Sequence, residues 1–160
     1  MKKMILLTVF SIMLVLGVGC SSSEAESKVE NPLLKEDLSV IMETLYENSG
    51  LELPNLANTE LTEENEAYFI GTNDVEYTEA LASEPMMSSI AHSVVLLRVE
   101  DGADIEVIKE TIKTKVDPRK WICVGVEEDD IIVDNIGNLV ILIMINDSAA
   151  LHDAFTSLAE

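Results

Sequence analysis

Seven consecutive apolar residues, Leu139-Val140-Ile141-Leu142-Ile143-Met144-Ile145, constrain this chain more than any other stretch. The run is too short to cross a bilayer, which takes ~20 apolar residues. Gly137-Asn138 bounds it on one side and Asn146-Asp147 on the other. Such a run reads as a central strand covered on both faces. Residues 130–134 precede it across Asn135-Ile136-Gly137-Asn138, so the two segments are expected to form a hairpin. A further strand signal lies at 92–100, where Val94, Val95, Leu96, Leu97 and Val99 cluster before the Asp101-Gly102 turn.

Helical spacing explains most of the remaining apolar residues. Leu38, Ile41, Met42 and Leu45 fall at i, i+3, i+4 and i+7, and Ser49-Gly50 ends that face. Thr62 reads as an N-cap followed by acidic residues, with a short helix running to Ile70 and stopped by Gly71. Asp104 caps a helix with Ile105, Ile108, Ile112 and Val116 on one face, and Asp117-Pro118 stops it. Asp147-Ser148 opens a last helix with Leu151, Phe155 and Leu158 inward. Residues 121–126 read as another strand. Residues 51–62 read as an irregular connection, and 73–89 carry a mixed signal in which Pro85 rules out a continuous helix. The expected order is α-α-β-α-β-β-α. It predicts an α+β fold: a small, mainly antiparallel sheet of three to four strands with helices packed on one side.

The N-terminus carries a different kind of information. Lys2-Lys3 open the chain, residues 4–16 are uncharged, and Gly17-Val18-Gly19 leads into Cys20. A positive start, a short apolar core and small residues at a cleavage point are the parts of an export signal. Ending on a cysteine, this one looks like a bacterial lipobox, in which the thiol is acylated and the chain is cut just before it. It departs from the usual pattern in placing Gly17, not a leucine, three residues before the cysteine. The organisation expected is a lipoprotein signal peptide at 1–19, a flexible tether at 20–34 beginning with lipidated Cys20, and one globular domain at 35–160. Two or three acyl chains, each worth ~0.8 kcal/mol per buried methylene, would hold such a protein stably on the outer face of the cell membrane.

Charge narrows the partners. Once Lys2 and Lys3 leave with the signal, eight basic residues face 30 acidic ones, a net charge of −22. Phosphate backbones need basic patches, so nucleic acid is excluded. Anionic headgroups repel the domain within a Debye length of ~8 Å. The partners expected are therefore the membrane, through the N-terminal lipid, and a protein with a basic patch.

Residues that carry chemistry are sparse. His92 and His152 stand alone, with no Glu-x-x-His spacing and no CxxC to suit zinc. Neither a nucleophile elbow nor a phosphate-cradling glycine loop is present. Calcium takes 6–8 oxygens, and neither Glu127-Glu128-Asp129-Asp130 nor Asp101, Asp104 and Glu106 has the loop spacing that supplies them. The first cluster reads as a solvated turn and the second as N-capping. Cys123, between Ile122 and Val124, is expected to be a buried, inert thiol. Met86-Met87 and Trp121 are the candidates for an exposed binding face; for the methionine pair, core filling is expected over an adaptable binding surface. No catalytic, cofactor-binding or metal-ligating set is assigned.

These features together resemble a family. The lipobox, the tether, the first helix, Pro85-Met86-Met87 leading into the 93–100 strand, the helix after Asp101-Gly102, and Gly137-Asn138-Leu139-Val140 are similar to small lipoproteins of Gram-positive anaerobes that share a domain of unknown function. The chain departs from them where Asp117-Pro118 shortens the second long helix. The resemblance implies membrane localisation and a single domain, and it implies no activity. The function expected is a non-enzymatic binding or assembly module. The alternatives are an enzyme with an unrecognised site and an acidic protein that responds to divalent cations.

Overall fold

The computed structural model describes residues 31–159, so Cys20 and the first part of the tether lie outside the described residues. The element order is α1 (Leu38–Ser49), β1 (Leu56–Glu60), α2 (Glu66–Ile70), β2 (Glu79–Pro85), β3 (His92–Arg98), α3 (Ile105–Lys115), β4 (Ile131–Ile136), β5 (Leu139–Ile145) and α4 (Ser148–Thr156). Single 3-10 turns cover Pro32–Lys35, Glu128–Asp130 and Ser157–Ala159. The strands form one antiparallel sheet in the order β1-β2-β3-β5-β4.

The α+β class holds, and three details are corrected. The sheet has five strands rather than three to four, and the order is α-β-α-β-β-α-β-β-α rather than α-α-β-α-β-β-α. The helices also cover both faces instead of one. Side chains alternate across a strand, and β5 shows where each set goes. Val140, Leu142 and Met144 pack with Phe69 and Ile70 of α2 and Ile112 of α3. Leu139, Ile141, Ile143 and Ile145 pack with Ile41 and Leu45 of α1 and Leu151 and Phe155 of α4. All seven are buried, as a strand with a helix layer on either side requires.

The sheet grew because β1 and β2 are weak as local signals. β2 contains two alanines, Ser83 and Glu84 and ends at Pro85; β1 contains Asn58 and Glu60. Neither shows β-branched enrichment, so pairing, of β2 with β3 and of β1 with β2, rather than propensity makes them strands. Conversely, 121–126 is not a strand. Cys123 has φ 62°, a left-handed conformation, and a Cβ on Gly125 would lie 2.7 Å from the Pro118 carbonyl oxygen. The segment instead hangs from single bonds, Ile122 N–H to Ser88 O and Val126 N–H to Pro118 O.

The β4–β5 hairpin turns at Gly137-Asn138, where Gly137 takes φ 58°, the position at which a II′ turn wants glycine. Asp104 caps α3 as expected, accepting from Val107 N–H. Two other caps differ. Asn65, not Thr62, precedes α2, and Asp147 sits at φ 63° before α4 without a side-chain capping bond. Leu34 is buried against the α1 layer, and Arg98 Nη1 donates to its carbonyl, so packed chain begins slightly ahead of Lys35.

Candidate functional site

The N-terminal ends of β1, β3 and β4 and the C-terminal ends of β2 and β5 meet at one end of the sheet, and chemistry-bearing side chains collect there. On the α2 face, Lys120 lies with only 4% of its side chain exposed. Its Nζ is 2.7 Å from Glu84 Oε1, off the axis of an aligned hydrogen bond, and donates to Ser93 Oγ at 3.1 Å. The rings of Tyr68, Phe69 and Trp121 surround the ammonium at 4.7, 5.3 and 5.4 Å. Burial lowers the Lys120 pKa, and the Glu84 carboxylate partly opposes the shift. Tyr68 donates to Glu84 Oε2 at 3.1 Å; burial, then the Glu84 charge, pushes that phenol up to about 12.

A serine beside a lysine of lowered pKa is a nucleophile pair in principle. Here Ser93 is fully buried and the lysine's proton is held by a carboxylate. The cluster therefore has the geometry of a satisfied internal ion pair.

His92 opens β3 on the α1 face, 5% exposed, with Nε2 3.1 Å from the Tyr46 hydroxyl. Burial pushes its pKa down to about 4, with Glu84 opposing weakly. His152, on α4, is paired: its Nε2 lies 2.7 Å from Asp134 Oδ2. Burial alone would raise the Asp134 pKa. The His152 bond, the Asn135 N–H and the charges of His152 and Lys109 outweigh it and hold the carboxyl below its usual value.

Other residues singled out in the sequence are scattered. Cys123 is exposed, not buried, because the left-handed backbone turns its side chain out of the loop. Met86 and Met87 are 75% and 61% exposed and so do not fill the core, whereas Trp121 does, with its Nε1 unpartnered. Among the described residues, no three histidine, cysteine or acidic side chains converge to hold a metal ion. Glu128–Asp130 forms an exposed turn, and Asp101 and Asp104 serve the β5 turn and the α3 cap separately.

An open feature lies elsewhere, at the sheet edge. A groove of about 570 Å³ separates α1 from β1, with Val40, Leu53, Pro54 and Leu56 as apolar walls and Glu43 and Glu47 on the α1 rim. Its floor includes Asn58 and Ser83, cross-strand partners on the same sheet face. Ser83 is fully buried and its Oγ makes no aligned hydrogen bond, although it lies near enough to Tyr46 to ease that phenol's ionisation slightly against burial. A second hollow of about 510 Å³ continues along the same strand from Ser39, bordered by Asp37, Glu60 and Glu79. The sequence does not show the groove because the wall facing α1 depends on β1, which carries no strand signal of its own.

Comparison with protein-family models, curated proteins and solved structures returns no match.

Proposed function

We propose that this chain is a lipid-anchored binding or assembly module at the outer face of the cell membrane, with no catalysis of its own. The observation that carries the reading is the separation of chemistry from access. Lys120–Glu84 is packed inside the fold and His152 is held by Asp134, while the accessible α1–β1 groove presents apolar walls and carboxylates. Binding sites are concave and mostly apolar with a few placed polar groups, and this groove has that character. The anchoring rests on Lys2-Lys3, the uncharged 4–16 stretch and Gly19-Cys20, and the likeness to small Gram-positive lipoproteins agrees with it.

Two experiments test the reading. Fatty-acid labelling in cells is expected to mark the protein and to vanish in Cys20→Ala, with release from the membrane. For binding, a photoreactive residue placed at Val40 on the groove wall should give discrete adducts in living cells. The same residue at exposed Val107 on α3 should not. Equal, diffuse cross-linking from both positions would remove the binding-module reading.

A further inference from the structure

We infer that the α1–β1 groove takes an extended, basic segment of another protein, added as a sixth strand along the β1 edge. The inference deepens the binding-module reading and rests on it.

The bonding of β1 defines what the edge offers. Met86 N–H donates to Asn55 O and Leu61 N–H donates to Ala80 O, so odd-numbered positions bond inward to β2. Antiparallel ladders alternate, so the backbone of Leu56, Asn58 and Glu60 points away from the sheet. The one outward group already used among the described residues supports this direction: the Glu60 carbonyl accepts from Asn65 Nδ2 at 3.0 Å. Among the described residues no strand pairs with that edge. An edge carrying open donors and acceptors is a template for another strand, and strand addition draws affinity from such main-chain bonds while pockets select side chains.

The same register puts the side chains of Leu56, Asn58 and Glu60 on the sheet face that carries Ser83 and Leu81, the face toward α1. An added strand therefore lies alongside the groove and drops alternate side chains into it. Every charged residue lining the two hollows is acidic: Glu43 and Glu47 in one, Asp37, Glu60 and Glu79 in the other. Lysine or arginine suits both layers, because the aliphatic stem packs on Val40 and Leu53 while the charged head reaches the rim. Ser83 Oγ, buried and unpartnered, adds a polar group at the floor. A second copy of this chain is a poor occupant, since it would bring the same carboxylates face to face.

The probe is a six-residue peptide alternating lysine and valine, titrated into the mature lipoprotein in non-ionic detergent. It should bind, and affinity should fall at least tenfold from about 50 to about 500 mM NaCl, where screening is nearly complete beyond ~3–5 Å. A glutamate–valine peptide, or the lysine peptide with alternate amides N-methylated, should bind at least tenfold more weakly. Hydrogen exchange gives the specific signature: the amides of Leu56, Asn58 and Glu60 gain protection, while those of Ala57 and Thr59, already bonded to β2, do not change. Glu43→Gln with Glu47→Gln should cost about tenfold in affinity. Asn58→Pro, which removes an outward N–H without touching the ladder, should do the same and leave binding intact only if strand addition is wrong. Equal binding of the acidic peptide, protection elsewhere, or a β1-paired dimer of the chain would overturn the inference. Val40 adducts in cells without basic-peptide binding would keep the binding module and discard this partner.

Discussion

Burial disfavours the charge of Lys120, and Glu84 is the group that opposes that shift most. With 4% and 15% of their side chains exposed, the two form a pair whose desolvation is offset only while both partners are present. Glu84→Gln strands the ammonium among three rings and should cost roughly 3 kcal/mol or more, whereas Glu84→Gln combined with Lys120→Met should recover most of that loss. Urea unfolding of the single and double variants checks this, and additive losses would show that the pair is not a unit. His92 gives a second residue-level test. Its pKa is about 4 in the fold against 6.5 ordinarily, so the unfolded chain binds more protons between those values. Stability is then fully present above pH 6.5 and is lost as pH falls toward 4, by about 2–3 kcal/mol. His92→Gln should flatten the unfolding midpoint across that window, and an unchanged slope would assign it to other groups. Little of this was legible in the sequence. His92 stands at the strand's start as expected, but its burial follows from Tyr46, 46 residues away. Cys123 was misread because its apolar neighbours say nothing of a left-handed backbone.

At the level of elements, the sequence was most informative where local pattern and packing agree. The faces of α1, α3 and α4 and the whole of β5 are where periodicity puts them, and Asp104 caps α3 as its position suggests. It failed at β1 and β2, whose residues pair because neighbours are available, and at 121–126, where apolar content without strand geometry misled. The groove inherits that failure, being bounded by β1. Gly71 marks a contact between elements that periodicity does not show. It ends α2 at φ 81°, and an added Cβ would lie 2.2 Å from the Lys115 carbonyl carbon and oxygen at the end of α3. Neither the left-handed backbone nor backbone atoms at that distance accommodate a methyl group without movement. Gly71→Ala should destabilise by roughly 2–4 kcal/mol, the left-handed cost of ~1–2 plus displacement of α3. The control is Gly102→Ala, with φ 89° but open space, which should lose less. Equal losses in thermal or urea unfolding would mean that the α2–α3 approach contributes nothing.

For the molecule as a whole, acidity is the dominant long-range term. A net charge of −20 on a chain of 160 residues opposes compaction through self-repulsion, because unfolding moves like charges apart. Against it, among the described residues, stand Lys120–Glu84, which is buried, and Arg98–Glu79, Lys109–Glu106 and His152–Asp134, which lie nearer the surface and contribute little. Salt screens the long-range repulsion strongly, since the Debye length shrinks from ~30 Å at 0.01 M to about 6 Å at 0.3 M. The contact pair at 2.7 Å inside the core is nearly untouched by the same change. The repulsive term therefore weakens faster than the attractive ones. The melting temperature of the protein should rise by a few degrees between about 10 and about 300 mM NaCl, on the scale where ~1 kcal/mol shifts Tm by about 2–4 °C in a chain of 160 residues. The same salt should weaken a basic partner in the groove, so stability and binding are expected to move in opposite directions. A melting temperature that falls with salt would place the stabilising weight on surface ion pairs and overturn this account of the charge.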